Sequence, residues 1–425
     1  MNVYSKGKKR RQFWRSAQLG TGRALLIMRQ NPKMDFSGEI IHLATHNPAY
    51  DPQCEGTRAR YVFSLVKEGG LFDPVAQVLL ETIPKVDLDS WDANHQVELA
   101  WLLVDEGYES LRRAIYERYS RSSPEEGFWV LEREIVHHDG LEGLLVVAEK
   151  NALMLRQNPQ ATPDFWIYSQ ALEKSLVKIQ EAAERKPEIK LFLDSYHEYK
   201  EQEEKKKNEG RQEGPDFYEV VVQFIHSEPA TRRYSVPRRW IRKLSHEQLV
   251  LLARHFLETE DEKQRHLYLT IFSKRRFPLG LEPLLQLLRK PLEKNDWSLL
   301  ESLAHFSAPE VRSLAMESLK KDSRIIFWNL LKHNYREGDG AVLAERIKSF
   351  RSPYKIHDAA GSCIEIYEER QTQDCREPLL ALYEKCPCSI CRSRIVGLLR
   401  KSGVCSPEIE AEFPFDTDSL SSDWE

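Results

Sequence analysis

Glycine and long apolar runs are both scarce in this chain. Only 19 of its 425 residues are glycine, fewer than a glycine-punctuated α/β enzyme or an all-β fold rich in tight turns needs. No stretch approaches the roughly 18 consecutive apolar residues of a membrane-spanning helix. The basic start, MNVYSKGKKRRQFWR, has no apolar segment of the kind that a signal peptide requires. These absences predict a cytoplasmic protein with no membrane partner.

A disulfide framework, a strong net charge and familiar catalytic motifs are lacking as well. Seven cysteines, an odd number unevenly spread, are typical of a reducing compartment. The formal net charge of -4 argues against a polycation built for nucleic acid over its whole surface. No G-x-S-x-G, no kinase signature and no redox C-x-x-C in a βαβ setting occurs. We therefore expect a protein that is not an enzyme and needs no cofactor.

What the chain does have is helical periodicity. Apolar residues recur at three- and four-residue spacing almost everywhere, which predicts amphipathic helices. In NDWSLLESLAHF, Trp297, Leu300 and Leu303 share one face, and after a short turn Val311 and Ala315 supply the matching face of a second helix. Because the turn is short, the two helices must be antiparallel.

A basic residue three places before a small one recurs near the start of such second helices. The clearest copies are Arg312 with Ala315, His357 with Ala360 and Arg394 with Gly397, and Arg265 marks a looser one. The basic positions are separated by 47, 45 and 37 residues, which is the period of a helical-hairpin repeat. We expect these basic side chains to bond to a neighbouring turn and so to fix how the helices stack.

This pattern resembles HEAT repeats and the related armadillo-like helical solenoids, from about residue 245 to 403 and more weakly from about 34 to 150. The resemblance implies an all-α, right-handed superhelical solenoid of antiparallel helix pairs with a concave groove. It also implies binding or scaffolding, because the family as a whole carries no catalytic residues to transfer.

Charge and composition divide the chain. Residues 200–216, KEQEEKKKNEGRQEGPD, hold no large apolar side chain and form either a flexible linker or an exposed helix extension. The last twenty residues are acidic with interleaved aromatics, and we expect them to dock on a basic groove, in cis or in trans. The predicted segments are a basic lead 1–20, a helical-repeat domain 21–199, the charged segment 200–216, a HEAT-like domain 217–405 and the acidic-aromatic tail 406–425.

Two basic clusters are candidates for contacting nucleic acid or an acidic partner. Stacked repeats place equivalent turns along one edge, so we expect one basic strip whose arginines contact phosphates while aromatics stack on a base. Internal salt bridges, or docking of the acidic tail, are the alternative use of the same side chains. The candidates are Arg232, Arg233, Arg238, Arg239, Trp240, Arg242 and Lys243 in the first cluster and Lys274, Arg275 and Arg276 in the second.

The cysteines of CPCSIC suggest a metal site. Cys386, Cys388 and Cys391, with Cys405 downstream, are soft ligands of the kind that zinc prefers. However, only Cys388 and Cys391 have C-x-x-C spacing, and the segment falls where the repeat requires its inter-helix turn. We therefore interpret these residues as structural thiols of a turn and expect no bound metal.

Two histidine pairs receive a similar interpretation. His42 and His46 lie four apart with Glu39 before them, and His137 and His138 follow Glu134. Neither matches the zincin arrangement, in which a glutamate directly follows the first histidine. The segment containing the second pair, H-H-D-G, is typical of a helix end closed by glycine.

QLGTGR resembles a phosphate-binding loop only superficially. No strand precedes Gly20 and Gly22, and no Gly-Lys-Ser/Thr follows them. We interpret the segment as a flexible lead into the next helix.

The sequence thus leads to three functional hypotheses. The first is a non-enzymatic scaffold or adaptor that binds a protein partner in the solenoid groove. The alternative is a nucleic-acid-binding helical-repeat protein that contacts the backbone through its arginines, with a role in repair or defence. A third, an enzyme with its active site within residues 150–245, has no motif in its favour.

Overall fold

The structure is a computed structural model that describes residues 3–123, 126, 129–158, 163–209, 216–227, 235–288, 297–321 and 324–421. Within these ranges every regular element is a helix, and no strand occurs. The all-α fold expected from the hydrophobic periodicity is therefore confirmed. The chain divides into two compact units, Met1–Gly210 together with Pro407–Glu425, and Arg211–Ser406.

The first unit contains eleven α-helices before residue 210, within the described ranges. They are α1 Val3–Leu19, α2 Arg23–Gln30, α3 Ser37–Thr45, α4 Pro52–Glu55, α5 Ala59–Gly69, α6 Phe72–Thr82, α7 Trp91–Val104, α8 Glu109–Arg121, α9 Trp129–Gln157, α10 Ser169–Arg185 and α11 Pro187–Glu209. The charged segment that begins at residue 200 is thus helical as far as Glu209.

The basic start of the chain is the first helix of this unit. Phe13 and Ala17 are fully buried in the core, and the exposed Arg10 donates to Glu39 of α3 at 2.9 Å. Helix α1 therefore packs through its apolar side and keeps its cations outside.

Helix α7 is the centre of the first unit. It begins at Trp91, where the Ser90 side chain accepts a hydrogen bond from the Ala93 amide, a typical N-cap. It packs against α3, α5, α6, α8 and α9. Because neighbours surround it, polar residues such as His95 are buried along with its apolar ones, and His95 Nε2 lies 2.7 Å from the Leu43 carbonyl oxygen.

The H-H-D-G segment interrupts α9. Gly140 has φ 54° and ψ -122°, a left-handed conformation that favours glycine, and helical geometry breaks there before resuming. The glycine-closed helix end expected at this position is thus present. Before the break, His138 stacks on Trp101 of α7, and α9 as a whole packs against α10 and α11.

The second unit, in the described ranges, consists of shorter helices joined by turns. They are α12 Phe217–His226, α13 Arg238–Ile241, α14 His246–Glu258, α15 Glu262–Phe272, α16 Glu282–Leu287, α17 Trp297–Leu303, α18 Pro309–Lys321, α19 Asp339–Ser349, α20 Pro353–Glu369, α21 Arg376–Tyr383 and α22 Ser389–Lys401. A 3₁₀ helix spans Ile325–Leu331. After residue 406 the chain returns to the first unit as α23 Pro407–Glu412 and α24 Thr417–Ser421.

The recurring basic residues occupy the positions expected of them. Each lies near the start of its helix: Arg265 in α15, Arg312 in α18, His357 in α20 and Arg394 in α22. Arg312 makes the strongest contact, a two-pronged ion pair with Asp339 at 2.6 and 2.8 Å that joins α18 to the start of α19. Arg394 pairs with Glu368 of α20 at 2.7 Å. These two contacts join α18 to α19 and α22 to α20.

The last four helices of the second unit pack in alternation. Helix α19 packs against α21, and α20 packs against α22, while α21 also contacts both α20 and α22. Arg392, fully buried, donates to the carbonyl oxygens of Cys386 and Pro387 at 3.0 and 3.1 Å and so holds the turn before α22.

Candidate functional site

The first basic cluster lies around the short helix α13. Arg238, Arg239, Arg242 and Lys243 are all exposed, and none of the four makes an ion pair with an acidic side chain in the described part of the chain. Trp240 is half-buried with its ring edge-on to Phe224 at 5.5 Å. The cluster therefore presents cations to solvent around one anchored aromatic ring. Arg232 and Arg233 lie outside the described residues.

The second basic cluster adjoins the first but is largely engaged within the protein. Arg275 Nη1 donates to the carbonyl oxygen of Ile241 at 3.2 Å, which places it beside α13. Lys274 pairs with Glu301 at 2.7 Å, and Arg276 lies 4.8 Å from the Phe306 ring centre. Of the two uses considered for these cations, internal pairing occurs for Lys274, while the exposed first cluster keeps contact with nucleic acid or an acidic partner as a prediction.

The cysteines of CPCSIC form the turn between α21 and α22, as the repeat required. Cys388 is the residue before the first turn of α22 and Cys391 lies in that turn. Cys386 is fully buried, with its Sγ 3.8 Å from the Cys388 carbonyl oxygen. A hydrogen bond with Cys386 is the main cause that raises the pKa of Cys391, to about 12. Cys405 is half-buried beyond the end of α22.

A histidine that the sequence gave no metal role joins this turn. His357, in α20, has a ring nitrogen within 4.8 Å of the Sγ atoms of Cys388 and Cys391, and those two Sγ atoms lie within 4.8 Å of each other. No other group of three such ligands is found among the described residues. The sequence feature that indicates this proximity is the spacing of the repeat, because it places the starts of α20 and α22 side by side.

The first histidine pair lies outside any such group of three in the described ranges. His42 and His46 stack on each other at 4.3 Å, and Glu39 pairs with Arg10 instead of either imidazole. Partial burial lowers the pKa of His42, which favours its neutral form.

The second pair faces a cavity of about 500 Å³ in the first unit. His138 stacks on Trp101 at 4.5 Å, and its Nε2 is 3.6 Å from Glu134. Burial raises the pKa of Glu134, but the hydrogen bond with His138 and the charge of Arg133 outweigh it and leave that pKa below its usual value. The cavity lining comprises Arg60, Glu98, Leu102, Arg133, Glu134, Val136, His137, His138, Ile167, Tyr168, Gln170, Ala171 and Lys174.

Glu98 is a cavity residue that the sequence reasoning missed. Burial on α7 raises its pKa, against the opposing effect of a hydrogen bond from the Thr57 hydroxyl. A carboxyl whose pKa is raised by burial thus lines the same cavity as the two imidazoles. The available signal was a glutamate inside NHQVELAWLLV, a segment too apolar for a solvated helix face.

A second buried carboxyl lies deeper in the first unit. Glu132 accepts hydrogen bonds from the Tyr119 hydroxyl at 2.8 Å and from Asn151 at 2.5 Å. Burial raises its pKa to about 7, although both hydrogen bonds act in the opposite direction. Because Tyr119 lies in α8 and Glu132 in α9, their hydrogen bond joins the two helices.

The Gly-Thr-Gly turn binds the acidic tail. The Gly22 amide donates to Asp416 Oδ1 at 2.6 Å, and the Thr417 amide donates to the Gly20 carbonyl at 3.0 Å. Arg23 forms a two-pronged pair with Glu412 at 2.9 and 3.0 Å. The acidic tail therefore docks in cis, on backbone groups of the Gly-Thr-Gly turn and on Arg23, and the segment interpreted as a flexible lead holds fixed partners.

Both glycines of this turn are needed for the close approach of the tail. Gly20 has φ 72°, and a Cβ there would lie 2.2 Å from the Thr417 hydroxyl oxygen. A Cβ on Gly22 would lie 1.9 Å from the Glu412 carbonyl oxygen. Helix-start amides and a cation thus recognise carboxylates here, as they do in phosphate loops, but the anion belongs to the same chain.

No helix in the part of the chain that the structure describes combines the length and apolar character needed to cross a bilayer.

Comparison with protein families, curated proteins and solved structures gave no match. The fold and surface define an all-helical protein, in its described residues, with an exposed cationic cluster and a thiol-rich turn.

Proposed function

We propose that the chain is a non-enzymatic scaffold of the HEAT or armadillo kind, a right-handed solenoid that holds a protein partner against its second unit. The observation that carries the proposal is the alternating packing of α19 on α21 and of α20 on α22. In a repeat array, first helices stack on first helices and second helices on second, which creates a continuous surface for binding. The ion pairs of Arg312 and Arg394 support the same stacking.

The starts of the second helices offer a suitable contact surface. Tyr354, in the first turn of α20, is 72% exposed, and Ile390, in the first turn of α22, is 37% exposed. Because His357 of α20 lies beside Cys388 and Cys391, the starts of the two helices that carry these exposed side chains are adjacent. Exposed aromatic and aliphatic anchors on one edge are the usual core of a protein interface.

A paired substitution tests this contact. The double change Tyr354→Asp and Ile390→Asp is expected to lower affinity for the partner at least about tenfold, because it introduces charges where apolar anchors would be buried. The measurement is quantitative capture from native extract with purified full-length chain, followed by titration of the one protein retained in stoichiometric amount.

Val177→Asp is the matched control, since Val177 is an exposed apolar residue of α10 in the first unit. It should leave capture unchanged. The proposal is wrong if no protein is retained in stoichiometric amount, or if the double variant and the control retain it equally.

Nucleic-acid binding is the second candidate, and the exposed first cluster favours it. Arg238, Arg239 and Arg242 are free of acidic partners in the described ranges, and Trp240 supplies an aromatic ring beside them. Such cations neutralise phosphates and release counterions, so the affinity must fall steeply as salt rises.

The triple change Arg238→Glu, Arg239→Glu and Arg242→Glu is expected to abolish binding to a labelled duplex or single strand, measured by fluorescence anisotropy over a salt series. Each duplex phosphate contact removed should lower the salt slope by about 0.9. Arg254→Glu, Lys263→Glu and Lys320→Glu, an equal charge change at exposed positions of the same unit, should retain binding. Survival of binding in the first triple, or its absence even at low salt, would reject this candidate.

A further inference from the structure

Two neighbouring helices bring three metal-ligating side chains together in the second unit. Cys388 precedes the first turn of α22, Cys391 lies in that turn, and His357 lies in the first turns of the adjacent α20. One ligand atom from each, a ring nitrogen and two Sγ atoms, lies within 4.8 Å of both others. Cys388 and Cys391 belong to the start of one helix and His357 to its neighbour, so the packing of α20 against α22 brings the three together.

The donor set indicates which cation would fit. Two thiolates and one imidazole suit a borderline-soft ion, and zinc takes such ligands at about 2.3 Å for sulfur and about 2.0 Å for nitrogen in tetrahedral geometry. Tetrahedral ligands at those lengths lie about 3.5 to 3.8 Å apart. Atoms already within 4.8 Å need only small side-chain rotations to reach that spacing.

The neighbouring residues hold the thiols in place and leave the group accessible from solvent on one side. Cys388 is buried, whereas Cys391 and His357 are half-buried, so one side of the group faces solvent. The fully buried Arg392 fixes the turn by donating to the carbonyl oxygens of Cys386 and Pro387. A turn held in this way presents its thiols without a large ordering cost, which is a requirement of tight metal sites.

We propose that His357, Cys388 and Cys391 form a zinc-binding site that links the starts of α20 and α22, with water as the fourth ligand on the exposed side. CPCSIC keeps the position at the turn between helices that the sequence predicted. That position brings two of its thiols close to His357. Cys386 and Cys405, considered with them from the sequence, lie outside this group of three and are not part of the proposed site. The site does not depend on the proposed partner binding.

Zinc titration of the full-length chain tests the site. Protein reduced and stripped with a chelator is expected to retain one zinc per chain after gel filtration, measured by elemental analysis. With cobalt as the probe, thiolate-to-metal charge-transfer absorption should appear in the near ultraviolet. Loss of a residue that only supports a metal ligand typically lowers metal affinity by roughly 10- to 100-fold. Loss of a ligand itself should lower zinc affinity by more than that in each of three variants, His357→Ala, Cys388→Ser and Cys391→Ser.

Cys405→Ser is the matched control, because it removes a half-buried thiol of the same unit that lies outside the group. It should bind zinc as the natural chain does. Zinc should also raise the Tm of the natural chain and of this control, but not that of His357→Ala, whose half-buried position leaves the core intact. The proposal is overturned if the natural chain retains no zinc, or if the Cys388→Ser, Cys391→Ser double variant retains it as well as the control does.

Discussion

Replacing Gly22 with alanine is expected to release the C-terminal segment from the first unit. The added methyl would lie 1.9 Å from the Glu412 carbonyl oxygen, so the backbone of the tail must move away. The hydrogen bond from the Gly22 amide to Asp416 and the ion pair between Arg23 and Glu412 would be lost with it. We expect the free energy of opening of residues 407–421 to fall by about 2 to 4 kcal/mol.

Hydrogen exchange of the tail amides measures that opening directly, and limited proteolysis reports the same release. Gly38→Ala is the control, because a Cβ there meets no atom within 4 Å and the residue lies in helix α3. Unchanged tail protection in Gly22→Ala, or an equal loss in Gly38→Ala, would contradict the docking that the structure shows.

Replacing Arg58 with methionine is expected to destabilise the first unit by about 3 to 5 kcal/mol. Arg58 and Glu55 form a 3.1 Å ion pair in which both side chains are 0% exposed. Arg58 Nη1 also donates to the Gln18 carbonyl at the end of α1. The substitution leaves the Glu55 carboxylate buried without its guanidinium, which costs far more than the net value of the pair.

The double variant Arg58→Met, Glu55→Gln separates these two effects. Because it removes the unpaired charge, it should recover more than half of the stability that the single variant loses. Thermal and denaturant unfolding followed by hydrogen exchange in α4 and α5 provides the measurement. A single variant that costs under about 1 kcal/mol, or a double variant no more stable than the single, would refute a buried charge pair.

The helix starts of the second unit could be predicted because their signals are local. Pro309 and Pro353 each occupy the first helical position, where a missing amide hydrogen costs nothing, and the apolar face follows at helical spacing. Arg312 and His357 could therefore be placed in the first turns of α18 and α20 without knowledge of the neighbouring helices. How those first turns pack against neighbouring helices depends on contacts between residues distant in sequence, which the repeat period does not specify.

The role of the Gly-Thr-Gly turn could not be predicted, because its partner is distant in sequence. Glu412 and Asp416 follow Gly22 by almost the whole chain, and no local pattern joins them. In the sequence the two glycines and the acidic tail are separate features. Only the folded first unit shows that one binds the other.

The three proposed zinc ligands have a spacing in the sequence that also fits a second interpretation, as stacking and turn residues. His357 was interpreted as a stacking residue and the cysteines as turn residues, and both placements agree with the structure. The same spacing that made His357 comparable with Arg394 also sets its helix beside the turn that carries Cys388. Side-chain proximity across repeats requires the stacking geometry, which a single sequence does not provide.

The decisive measurement for partner binding on the second unit is hydrogen exchange on the full-length chain, with and without the protein it captures. New protection is expected at the starts of α20 and α22, around Tyr354 and Ile390, with the cavity of the first unit unchanged. Protection confined to the first unit, or no new protection anywhere at saturating partner, would contradict it.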